Sequence, residues 1–102
     1  MIPPIETIEF RTEARVDVIK AFEWYEDKRP GLGEEFEEEV DAALKRVVES
    51  PETYAVAFAG MRRIMTRRFP FIIYYRVETP KVIIFGVFHG HRDQSEIETR
   101  AD

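Results

Sequence analysis

From Ile5 to Arg11, β-branched and aromatic residues are interleaved with Glu6, Thr7 and Glu9, a pattern that predicts a short strand. At Thr12 the period changes. Val18, Ala21, Phe22 and Tyr25 fall at helical spacing, Thr12 is positioned to cap the first turn, and the helix is expected to end near Lys28. After Pro30-Gly31-Leu32-Gly33, a tight connection, Leu32, Phe36, Val40, Ala43, Leu44 and Val47 recur in steps of three and four, the strongest periodic signal in the chain. Two amphipathic helices joined this closely are expected to form an antiparallel hairpin. Ser50-Pro51 stops the second helix, and the aperiodic stretch to Gly60 reads as a loop with apolar anchors at Tyr54, Val56 and Phe58.

The remainder is β-rich. Met61–Phe69, Phe71–Glu78 and Val82–His89 read as three strands, broken by Pro70 and by Thr79-Pro80, and such short connections favour an antiparallel meander. In the middle run, period-two alternation sets Phe71, Ile73, Tyr75 and Val77 on one face, the better core face, and Ile72, Tyr74, Arg76 and Glu78 on the other. Asp93–Arg100 is polar and reads as a short helix or a frayed tail. The fold expected is α+β with the order β-α-α-β-β-β, the helix hairpin lying on one face of a small antiparallel sheet.

At 102 residues the chain is expected to form a single domain over residues 1–102, and 13% aromatic content is enough to build a core without metal or disulfide staples. The absence of cysteine excludes disulfides, Cys-ligated metals and thiol nucleophiles, and fits a reducing, cytoplasmic setting. No basic segment followed by an apolar run opens the chain, and its longest apolar stretches are too short to span a bilayer, so neither a signal peptide nor a membrane span is expected.

The net charge of −5 argues at first against phosphate-rich partners. Its distribution reverses that reading. Residues 12–50 hold twelve acidic and six basic side chains, whereas residues 60–92 hold seven basic side chains and the lone acid Glu78. The average conceals an acidic hairpin and a basic sheet.

Arg63 and Arg67 are expected on one face of their strand and Arg62 and Arg68 on the other. One pair can be tied to the acidic helices, while Arg63, Arg67 and Arg92 can form a cationic groove on the open sheet face for phosphates or an acidic peptide. His89 and His91 point the same way if the strand continues. As a metal pair they lack a third ligand, so no metal or cofactor is expected; beside arginine an imidazole can serve as general acid or base, and an end-of-strand turn at Gly90 accounts for at least one of them. Ser50 and Ser95 lie in no nucleophile motif, and no phosphate loop is present. Trp24 and Tyr25 read as packing residues and the Glu34–Asp41 run as a solvated helix face.

Taken in order, WYE, PGLGEEF, SPE, GMRRIMTRRFPFIIYYRVE and VFHGHRD resemble the RelE/ParE superfamily of type II toxin–antitoxin toxins, the plasmid stabilisation proteins, over nearly the whole chain. FPFIIYYRV and HGHRD are closer to the ParE-like branch. The resemblance implies a growth-inhibiting toxin that binds a cellular target, DNA gyrase, and is neutralised by a cognate antitoxin; the alternatives are a RelE-type ribosome-dependent mRNA interferase and a non-toxic antitoxin-binding remnant. Against the nuclease pattern, Arg63 and Arg92 occupy basic positions, but Met65, Ile72 and Glu98 replace lysine, arginine and tyrosine. A nuclease would have to draw on Arg63, Arg92, His89 and His91. A target or antitoxin surface would use Arg63, Arg67, Ile72, Tyr74, Arg76 and Arg92, with a homodimer or a toxin–antitoxin heterotetramer as the implied assembly.

Overall fold

A computed structural model describes residues 3–101. Its elements run β1 (Thr7–Phe10), α1 (Thr12–Lys28), α2 (Leu32–Glu49), β2 (Arg62–Met65), β3 (Phe71–Glu78) and β4 (Lys81–His89), followed by a 3-10 helix over Gln94–Arg100. The strands form one four-stranded sheet in the order β1-β4-β3-β2. The meander β2-β3-β4 is antiparallel, as its short connections require, whereas β1 joins the β4 edge in parallel, Thr7 opposite Lys81 through Phe10 opposite Ile84. The helix hairpin supplies the crossover that a parallel pair needs.

The hairpin closes tightly because residue 33 is glycine. A Cβ there would stand 2.8 Å from the Phe22 carbonyl oxygen, so only a glycine lets α2 begin against the end of α1. Its amide donates to Glu26 Oε1 at 2.8 Å, which satisfies one of the open N–H groups of α2 with a carboxylate from the neighbouring helix. At the start of α1, Thr12 is the first helical residue rather than the cap. Arg11 stands at that position in extended conformation, and its carbonyl accepts the Arg15 amide at 3.0 Å without a side-chain cap.

Both helices pack on the sheet face that alternation selects. Phe36, Val40, Ala43, Leu44 and Val47 of α2 meet Ile64, Phe71, Ile73, Tyr75, Val82, Ile84 and Val87, with Val77 partly buried at the margin. Tyr25, Phe36, Phe69 and Phe71 stack with ring centroids 4.8–6.1 Å apart, mostly edge to face, the arrangement aromatic quadrupoles favour.

Three further expectations need correction. The strand expected over Met61–Phe69 stops at Met65, because the Thr66 amide donates to the Phe71 carbonyl at 3.0 Å and its hydroxyl bonds the Phe69 carbonyl, folding residues 66–70 into a turn. In the 51–60 loop Tyr54 and Phe58 are anchors but Val56 is 62% exposed. The far sheet face is not open. Met61, Tyr74, Phe85, Phe88 and Ile97 form a second, smaller core there, closed by the 3-10 helix.

Candidate interaction surfaces

The arginines expected to cooperate are dispersed by the fold. Arg62 turns to the helix side and donates to the Tyr54 carbonyl at 2.8 Å. Arg68, carried by the turn, pairs with Glu35 at 2.5 Å while its amide donates to Glu39. Arg68 and Arg29 hold the Glu35 carboxyl below its ordinary value by hydrogen bonding to the charged form. These contacts tie sheet to hairpin, as one of the expected roles for the arginines requires, through Arg68 rather than the pair.

On the far face Arg63 lies opposite Tyr74 and Met65 opposite Ile72. Tyr74 is fully buried and its hydroxyl bonds Gln94; burial pushes its pKa up against the opposing effect of Arg63. Met65 is 67% exposed, so with half-buried Ile72 it forms an apolar patch beside exposed Arg63. Arg67 projects from the turn, exposed and without an ion-pair partner among the described residues.

Arg92 does not join Arg63 and Arg67. Its guanidinium lies 4.0 Å from the Phe88 ring centroid and pairs with Asp17 at 3.3 Å and Glu96 at 3.2 Å. Arg100 covers the same ring at 4.8 Å, while Arg76 and Arg11 lie over Phe85 at 4.7 and 5.0 Å. Arg76 also reaches Glu78 at 3.7 Å and donates to the Ala59 carbonyl. Guanidinium planes laid on aromatic rings bury their stems and keep their charge, so the basic sheet face is also a packed one.

Asp17 of α1 was not singled out by the sequence, yet it organises this region. Its side chain is 7% exposed. Its carboxylate accepts the Val87 amide at 2.9 Å and both Arg100 terminal nitrogens at 2.7 and 3.2 Å, besides Arg92. The Arg100 side chain in turn donates to the Phe85 carbonyl at 3.0 Å. β1 ends opposite Ile84, so these two side chains occupy the β4 edge that a longer β1 would have paired. Gly86 makes this possible: a Cβ there would stand 2.7 Å from Ile97 Cδ1 and 3.2 Å from the Arg100 guanidinium.

His89 and His91 sit at the end of β4 with ring centroids 5.0 Å apart. His89 Nδ1 accepts the His91 amide at 3.0 Å, and the His89 ring stands edge-on to Phe71. Among the described residues no third His, Asp or Glu joins them as a metal-holding cluster. This is the geometry of a strand-terminating turn.

A concavity lies elsewhere, between α1 and the uncovered half of β4. It encloses about 500 Å³ and is lined by Asp17, Lys20, Ala21, Trp24, Tyr25 and residues of β3 and β4. Tyr25 packs in the core as expected. Trp24 does not: 56% of it is exposed, with the Lys28 ammonium 4.5 Å from its ring. An amphipathic pattern does not separate a residue on the shoulder of a helix from one beneath it, and Trp24 carried no other signal.

Comparison with known proteins bears on both fold and family. A solved structure titled "Chromosomal ParDE TA system from P. aeruginosa" superposes with a TM-score of 0.73 at 15% identity, covering 85% of this chain and 98% of that one, a likeness of fold. Toxin ParE2 of Mycobacterium tuberculosis, in strains CDC 1551 / Oshkosh and ATCC 25618 / H37Rv, is 30% identical over 83 residues, which span 80% of this chain and 79% of the relative. The family model described as "ParE toxin of type II toxin-antitoxin system, parDE" matches residues 8–94, which include all of β1 but Thr7, the hairpin, the whole meander and both arginine-bearing faces of the sheet. With sequence, fold and family model in agreement, this chain belongs to the ParE toxin family of type II toxin–antitoxin systems.

Proposed function

We propose that this toxin arrests growth in the cytoplasm by binding and inhibiting DNA gyrase, and that a cognate antitoxin neutralises it. The observation that carries this reading is the composition of the far sheet face. Where RNA cleavage would need groups to move protons and gather phosphate charge, the exposed positions hold Met65 and half-buried Ile72 beside Arg63. Apolar surface rimmed by arginine suits a protein target, since it gains from burial and from charge-assisted hydrogen bonds together. The same chemistry disfavours the mRNA interferase reading, because Arg92 is already paired with Asp17 and Glu96, and His89 Nδ1 with the His91 amide.

The test is a supercoiling assay with purified toxin and gyrase. Inhibition that weakens with Met65→Asp or Arg63→Glu is the expected result. Unaffected supercoiling, together with codon-phased cleavage of translated messages by primer extension, would replace this reading with the interferase. Absence of growth arrest on expression without an antitoxin would leave an antitoxin-binding remnant.

A further inference from the structure

β1 closes one end of the sheet, and among the described residues no strand lies outward of it. The Thr7 and Arg11 amides donate to the Pro80 and Ile84 carbonyls, so the odd-numbered residues of β1 bond β4. By alternation the N–H and C=O groups of Ile8 and Phe10 point outward, along an open edge. On the helix side of that edge three hollows of about 340, 430 and 270 Å³ adjoin one another: Asp41 lines the first and second, and Ile8 and Val48 line the second and third. Their apolar lining is partly open to solvent, with Ile8 36% and Ile19 50% exposed and Val48 half-buried. The rim carries both signs of charge. Lys45 stands one helical turn from Asp41 and from Glu49, and none of the three has an ion-pair partner among the described residues.

From this edge and the flank of α2 beside it we infer that two copies of the chain pair β1 with β1 about a two-fold axis at Ile8, joining their sheets into one. The occupant is a second copy because the surface complements itself: it offers donors and acceptors along one edge, and cation and carboxylates along one rim. A two-fold axis normal to the sheet sets the two strands antiparallel, so the Ile8 N–H donates to the Ile8 carbonyl of the second copy and the reverse. Charge selects this register. An axis at Glu9 would set two carboxylates directly opposite in the closer, non-hydrogen-bonded pair, whereas an axis at Ile8 sets Glu9 opposite Thr7. An axis at Thr7 would make the central bonds depend on the Glu6 amide, which already donates to the Pro80 carbonyl at 2.7 Å. Beside the joint the two α2 flanks run antiparallel, which brings Lys45 of each copy to Asp41 and Glu49 of the other and covers Ile8 and Val48 of both. The pairing uses neither the target face nor any antitoxin contact. Since β2 lies at the opposite end of the sheet, the dimer carries two Arg63–Met65 faces, both on the side away from the helices.

The experiment follows the full chain by sedimentation equilibrium from about 1 μM to about 1 mM, with hydrogen exchange at both ends of that range. The wild-type chain is expected to dimerise, and exchange of the Ile8 amide to slow as concentration rises. Val48→Asp and Lys45→Glu are each expected to raise the dimer dissociation constant about tenfold or more, as central positions of an interface do. Circular dichroism checks that each variant is folded, and because Lys45 is exposed its variant tests the contact even where Val48→Asp loses structure. A wild-type chain that stays monomeric over the whole range overturns the dimer. A dimer that every folded variant retains within about twofold, or one in which the Ile8 amide exchanges at the same rate at both concentrations, overturns the β1 interface.

Discussion

Asp17 illustrates how one side chain can carry several parts of a small fold. It replaces a strand at the β4 edge, neutralises Arg100, and joins α1 to the C-terminal 3-10 helix across 83 positions of sequence. Asp17→Asn keeps the shape but removes the charge, leaving Arg100, itself only 14% exposed, without its counter-ion. Breaking a largely buried pair from one side costs about 3 kcal/mol, and urea denaturation should show a loss of that order. The exposed Arg68–Glu35 pair behaves differently. Because its arginines depress the Glu35 pKa, the stability it supplies is present above the ordinary carboxylate range and fades as pH falls through the lowered value. No local feature of the sequence distinguishes Asp17 from Glu13 or Glu23 on the same helix. Its importance depends on which residues the chain returns to it.

At the scale of elements, the hairpin is the part most strongly set by short-range pattern. The three-and-four spacing from Leu32 to Val47 corresponds to the buried face of α2, and the glycine-bearing turn to its start. Gly33→Ala presses a methyl group against the Phe22 main-chain oxygen, which cannot rotate away. The expected cost is about 1–3 kcal/mol, read as a lowered thermal midpoint with α-helical circular dichroism otherwise retained. β2 shows the limit of such pattern. Arginine and β-branched residues from 61 to 69 suit a strand, but Thr66 offers its hydroxyl to two nearby carbonyls, and that competing local bonding ends the ladder at Met65. The consequence reaches the site, because Arg67 and Arg68 leave the alternation that would have paired them with Arg63 and Arg62.

Across the whole molecule the acidic hairpin and the basic sheet form two layers. The cores on the two faces of the sheet hold tyrosines whose hydroxyls resist ionisation. Burial pushes Tyr75 up to about 12 and raises Tyr25 and Tyr74 as well. A folded pKa above the unfolded value of about 10 means the contribution is intact below pH 10 and is lost as pH climbs toward 12. Stability should therefore fall steeply over that alkaline interval, with phenolate absorbance appearing together with unfolding rather than before it. Tyr75→Phe should flatten the slope, even though it also gives up the hydrogen bond to the Pro51 carbonyl.

By itself the sequence determined the order of elements, the hairpin, the face of β3 carrying Phe71, Ile73, Tyr75 and Val77, and the separation of acidic from basic surface. Each of these follows from local periodicity or from counting charges along the chain. The tertiary structure decided that β1 runs parallel to β4, that the far face is closed by Ile97, that Arg92 and Arg100 answer to Asp17, and that Trp24 roofs a groove. The physical reason is distance along the chain. Periodicity states which side of an element is apolar, but which edge is left unpaired, and which charge meets which, is settled only when segments some 70 to 80 residues apart pack together.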